Sequence, residues 1–118
     1  MIAASDHATQ LRRGVVEGCI LGLLAREPMY GWQLAERLIA DGAIIGSIGT
    51  LYPVLTRLRE RGDVTSYEVP SESGPPRRYY ELTDAGRRTL QIFRGEWLLF
   101  TTSVERYITP EGTRDENR

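Results

Sequence analysis

From Thr83 to about Ile108 the chain runs without a proline, and Leu90, Phe93, Trp97, Phe100, Val104 and Tyr107 recur at alternating spacings of three and four. That is a heptad stripe of about two and a half repeats, broadened by a second row at Ile92 and Leu99. Thr83 is placed to cap the helix and Asp84 to sit near its positive dipole end. So long and so apolar a helix cannot cover its stripe on a small domain alone. The six stripe residues are therefore expected to pair with their copies in a second chain.

With 118 residues the chain is expected to be one domain's worth, with no room for a separate effector domain. The formal charge is −1, which argues against indiscriminate polyanion binding but permits a local basic patch. Residues 47–61 and 71–80 together hold five Arg against two Glu, a surplus of three positive charges that leaves four negative on the remainder. All fifteen basic residues are Arg, the side chain suited to bidentate contacts with phosphate or guanine.

Enzyme and membrane readings find little support. One His, His7, and one Cys, Cys19, leave no clustered zinc set, few candidates for nucleophile or base, and no disulfide framework. Cys19 reads as a core thiol and a cytoplasmic location is expected. The apolar run at 15–25 is about half the roughly 20 residues needed to cross a bilayer and contains Glu17. Residues 1–10 lack the basic start and apolar run of a signal peptide.

In chain order, 1–10 reads as a flexible arm. A first helix is expected from Arg12 and Arg13 to about Arg26, closed by Pro28, with Gly14, Gly18 and Gly22 leaving a smooth face for another helix of this or a partner subunit. A second helix over 30–41 carries Leu34, Leu38 and either Trp32 or Ala35 toward the core, with Gly42 as its stop. A third is read over 47–61, with Ser47 as N-cap and Ile48, Leu51, Leu55 and Leu58 as its inward stripe. Its outward side carries Gly49, Pro53 and Thr56, flanked by Thr50 and Arg57 on one side and Tyr52 and Arg59 on the other. Pro53, inside this helix, should strain a turn, with Gly49 easing the clash. Beyond Gly62, 64–69 and 77–82 read as strands joined by a polar loop, PSESGPP. The order predicts a mainly α fold with a small β-hairpin: a winged helix-turn-helix over 11–82, a C-terminal dimerisation helix over 83–108 and a disordered tail over 109–118.

These residues resemble the PadR-like transcriptional regulators. The resemblance is carried by LRRG at 11–14, MYGWQL at 29–34, GTLYPVLTRL at 49–58 and GPPRRYYELTDAGR at 74–87, and spans roughly 11–108. The single C-terminal helix is similar to the short subfamily; Trp32 departs from a position where the family commonly has tyrosine. The resemblance implies a homodimeric repressor of the winged helix-turn-helix type, joined through the C-terminal helix. It also implies a response to phenolic acids or to planar, aromatic or cationic drugs held between the subunits, with Trp97 similar to the tryptophan that stacks such ligands in drug-sensing members. Phe93 and Phe100 are expected beside that ligand, although an aromatic such as Trp97 is more often packing than ligand cradle.

On this reading Ser47, Thr50, Tyr52 and Arg57 meet double-stranded DNA in the major groove and Arg77 and Arg78 grip the backbone beside it. A palindromic operator with half-sites about one helical turn apart follows from a two-fold dimer. No cofactor, metal or membrane partner is implied. The alternative is a winged-helix dimer that binds protein and not DNA, which exposed apolar residues on the reading face would mark.

Overall fold

The structure, a computed structural model, describes residues 14–40 and 44–110. The expected arm at 1–10, the helix start at Arg12 and Arg13, the stop at Gly42 and the tail beyond 110 lie outside the described residues. Among the described residues, three helices and a three-stranded antiparallel sheet form a winged-helix body from which a fourth, long C-terminal helix projects. The first helix, α1 (Val16–Leu24), is shorter than its apolar run suggested. It turns its buried residues Val16, Ile20, Leu21 and Leu24 to the core. Cys19 is half-buried at the edge of that core.

Strand β1 (Met29–Tyr30) and helix α2 (Gly31–Ala40) follow. Leu34, Ala35 and Leu38 are buried while Trp32 is 54% exposed, so Ala35 and not Trp32 completes the inward stripe. The amide of Tyr30 donates to Gln33 Oε1 at 3.1 Å, a reach back from the first turn that satisfies the residue before the helix.

The third helix departs from its sequence reading at its start. Ile48–Thr50 forms a 3-10 turn, and helix α3 proper spans Leu51–Glu60. Ser47 is extended and its side chain caps nothing. Pro53 is thus the third residue of the α-helix, where an amide would have no partner in any case. The expected strain against Gly49 does not arise. Leu51, Val54, Leu55 and Leu58 are buried. The helix ends in a Schellman turn, with Gly62 at φ +86° donating to Arg59 O at 3.0 Å and Asp63 N to Leu58 O at 3.0 Å.

Strands β2 (Val64–Ser71) and β3 (Gly74–Leu82) form the wing, and the sheet order is β1-β3-β2. The hairpin is longer and its turn tighter than the predicted PSESGPP loop, and a third strand joins it. Val69 pairs with Arg77 and Ser71 with Gly74, leaving Pro70 opposite Pro75 and Pro76. A bulge of two residues against one thus collects all three prolines where the ladder is already interrupted.

Helix α4 (Asp84–Ile108) is capped as expected: Gly86 N donates to Thr83 Oγ1 at 3.0 Å. Its first turns dock on the body. Gly86 is pressed on the Asp63 carbonyl with no space for a Cβ, and the ring of Phe93 occupies the place a Cβ on Gly18 would need. The smooth glycine face of α1 is therefore met by this chain's own last helix at Gly18. Beyond Phe93 the apolar residues of α4 are largely uncovered: Leu98, Leu99, Phe100, Tyr107 and Ile108 are 62–81% exposed.

Candidate nucleic-acid interface

Because Leu51, Val54, Leu55 and Leu58 hold α3 on the core, Tyr52, Pro53, Thr56, Arg57, Arg59 and Glu60 face outward, with Ser47, Gly49 and Thr50 exposed just ahead of them. The two flanks differ in how their arginines are held. Arg57 Nε reaches Glu17 Oε2 at 3.3 Å and Arg61 Nη2 reaches Glu17 Oε1 at 2.8 Å, so one carboxylate on α1 restrains two guanidinium groups. The Glu17 hydrogen bond holds the Arg61 guanidinium above its ordinary value against partial burial, with help from the Glu17 and Asp63 charges. Arg59, on the other flank, makes no ion pair among the described residues.

On the wing, Arg78 Nη1 donates to Ser66 Oγ at 3.0 Å and Nη2 meets Glu68 at 3.3 Å, a cross-strand pair. The guanidinium of Arg77 lies 4.7 Å from the ring centre of Tyr30. That ring meets Tyr79 edge-on at 5.4 Å, and Tyr79 stacks on Tyr67 at 5.9 Å. The wing root is thus an aromatic row ended by a cation.

Between the wing and α3 lies a cavity of about 400 Å³ lined by Tyr30, Gly31, Trp32, Tyr52, Arg77, Arg78 and Tyr80. A Cβ on Gly31 would come within 2.7 Å of Tyr52 Oη, so the absence of a side chain there lets Tyr52 lean over the start of α2. Tyr80 is 6% exposed; burial raises its pKa, with Arg78 and Arg59 acting the other way and Tyr52 adding to the rise. Of the six residues expected to meet DNA, the structure gathers Tyr52, Arg77 and Arg78 around this cavity. Ser47, Thr50 and Arg57 lie elsewhere on the exposed surface.

The predicted ligand residues do come together. Phe93 and Trp97 stack at 6.2 Å, and with Phe100, Gly14, Val15 and Glu96 they line a groove of about 310 Å³. No helix among the described residues is long and apolar enough to cross a membrane.

The model of the transcriptional regulator PadR-like family matches residues 20–92, which hold α2, α3, the wing and the start of α4. The chain belongs to the PadR-like family. It is therefore a transcriptional regulator and not an enzyme. Solved PadR-like proteins share its winged-helix fold. A PadR family regulator from Eggerthella lenta is 34% identical with a TM-score of 0.79, covering 91% of this chain and 93% of that one. A PadR-like regulator from Bacillus cereus is 34% identical with a TM-score of 0.76, covering 86% and 99%. A PadR family regulator from Clostridium difficile is 26% identical with a TM-score of 0.72, covering 81% and 100%. No curated protein matches the chain.

Within this PadR-like body, Glu17, Tyr30, Trp32, Arg59 and Tyr80 lie at or beside the candidate interface without being among the residues expected from the sequence to meet DNA. Arg59 had a signal, its place beside Tyr52 on the helical wheel. Tyr30 and Tyr80 did not, since only the pairing of β1 with β3 makes them neighbours (Met29 with Tyr80, Tyr30 with Tyr79).

Proposed function

We propose that this PadR-like regulator acts in the cytoplasm as a homodimeric repressor that binds a palindromic operator and is released by a small aromatic effector. The observation that carries the DNA reading is the division of α3: its four large apolar side chains are spent on the core, which frees a face of hydroxyl, aromatic and guanidinium groups. Ser47, Thr50, Tyr52 and Arg57 meet bases and phosphates, and Arg77 and Arg78 follow the flanking backbone. Arg57 exchanges its exposed pair with Glu17 for a phosphate at little cost, since such pairs contribute about 0.2–1 kcal/mol.

The dimer reading is supported by the uncovered apolar surface of α4, and the effector reading by the stacked Phe93 and Trp97 beside Phe100. Glu96 at the same groove favours neutral or cationic rings over acids. A second subunit would close the groove, so an aromatic guest there changes the angle between the two reading heads and spoils the fit to both half-sites.

The test begins with fragments of the source genome retained by the purified protein. Salt titrations on a selected fragment should lose about 0.9 of slope for each phosphate contact removed, so Arg57→Ala and Arg77→Ala should each weaken binding and flatten the slope. Undiminished binding by both variants would overturn the placement of DNA. Titration of Trp97 fluorescence with aromatic compounds tests the effector; no change across a broad panel leaves Trp97 to packing.

A further inference from the structure

We infer that Glu17 is a specificity-determining residue for DNA: a counter-ion built into α1 that occupies Arg57 until a matching sequence takes it. The inference rests on the placement of Arg57 against DNA proposed above. Val16 and Ile20, on either side of Glu17 along α1, are buried in the core, so the carboxylate is carried on a fixed backbone. Its side chain is 25% exposed, against 54% for Arg57 and 49% for Arg61. The acid is therefore the held member of the cluster, and the long arginine side chains are the ones able to swing.

The two carboxylate oxygens are engaged unequally. Oε1 accepts from Arg61 Nη2 at 2.8 Å, whereas Oε2 accepts from Arg57 Nε at the longer 3.3 Å. Arg61 is also held from the far side by Asp63 at 3.5 Å, and its hydrogen bond to Glu17 raises its pKa. When Arg57 leaves, Arg61 stays, so a half-buried acid is not stranded without a cation. Arg57 is thus the replaceable partner.

The consequence is an uneven DNA surface. Arg57, Arg61, Glu17 and Asp63 together carry no net charge, whereas on the wing side Arg59 and Arg77 have no acidic partner among the described residues. Any duplex is drawn to the wing side by charge alone. On the α1 side, a phosphate met at random offers Arg57 one anion in place of another, a near-even exchange. A matched guanine offers two parallel hydrogen bonds, which the single contact through Nε does not supply. Glu17 therefore weakens binding to unmatched DNA more than binding to the operator. An acid in the first turn of α1 also suits the helix dipole, but that role is indifferent to DNA sequence.

Wild type, Glu17→Gln, Arg57→Ala and the double variant are titrated with a selected genomic fragment and with a scrambled duplex of the same length, over a series of salt concentrations. Glutamine keeps the shape and an acceptor oxygen but removes the charge. Glu17→Gln should bind the scrambled duplex about threefold more tightly, the scale of one exposed ion pair, with a salt slope steeper by about 0.9. The selected fragment should gain less, so that the ratio of the two affinities falls by about twofold. In the Arg57→Ala background the same change should alter neither affinity nor slope. Cooperative thermal unfolding of each variant establishes that it is folded.

The inference is overturned if Glu17→Gln leaves the scrambled duplex unaffected, if both duplexes gain equally, or if the gain persists without Arg57, which would make Glu17 a general negative charge. These outcomes leave the DNA reading standing as long as Arg57→Ala itself weakens binding. If Arg57→Ala binds both duplexes as wild type does, the placement of DNA fails and the role of Glu17 fails with it.

Discussion

Asp63 is the residue whose role is clearest in the structure and least visible in the sequence. Its carboxylate accepts from Thr89 Oγ1 at 2.9 Å and lies 3.5 Å from Arg61, its amide closes the end of α3, and its carbonyl accepts from Thr83 N at 3.1 Å. One buried residue thus ties the third helix to the start of the fourth. Asp63→Ala should cost about 1–3 kcal/mol, read as a lower urea midpoint at unchanged slope. An unaltered midpoint would mean the Thr89 contact is dispensable. Nothing in a periodicity marks Asp63, because Thr89 is 26 residues away and the acid itself reads as a turn residue after Gly62. Tyr80 gives a pH test. Its pKa is raised on folding, first by burial, so the folded state holds the proton more tightly. That contribution is complete below the ordinary tyrosine value and disappears as pH climbs through the folded value. Tyr80→Phe should therefore make stability less sensitive to pH above about 10 and leave the neutral-pH slope unchanged, checked by thermal unfolding across an alkaline series.

Helix α3 shows how a correct stripe can accompany an incorrect boundary. Leu51, Leu55 and Leu58 are all buried as their spacing requires, because a 3.6-residue period is a property of the whole run and survives an error at one end. The helix starts later than the stripe implies because a 3-10 turn at Ile48–Thr50 continues the same hydrophobic face with different hydrogen bonding. This decides what Pro53 does. A proline in a helix interior costs about 3 kcal/mol relative to alanine, so replacing it there would stabilise by a similar amount. In the first turn no amide partner is available to be recovered. Pro53→Ala is therefore expected to change stability by less than about 1 kcal/mol, and a rise of Tm equivalent to the larger figure would return Pro53 to the interior. The wing was legible in kind but not in extent: prolines at 70, 75 and 76 argue for a loop until the bulge is seen to take all three. Strand β1 was not legible, since two residues carry no alternation and Met29–Tyr30 becomes a strand only by pairing with Tyr79 and Tyr80.

What covers α4 decides how the two ends of the chain are used. The docked turns are accounted for by Leu90, which packs on the core, and by Phe93 against Gly18. Further along, Leu98, Leu99 and Phe100 are 68%, 72% and 62% exposed in the single chain, at a level no monomer needs. Burying one such side chain is worth about 1.5–3 kcal/mol, so a partner helix on this surface supplies the driving force of an association. Phe100→Glu separates the two cases. In a lone chain the change falls on a mostly solvated side chain and should shift stability by no more than about 0.5 kcal/mol. In a dimer it places a charge against apolar surface. We expect wild-type protein to sediment with the mass of two chains and to show a Tm that rises with concentration, and Phe100→Glu to sediment as one chain with neither property. The variant should also bind a full operator far more weakly than wild type while retaining similar contact with an isolated half-site, because the second head no longer arrives at high effective concentration. A wild-type protein of single-chain mass at micromolar concentration would remove the second wall of the Trp97 groove along with the proposed pair of reading heads.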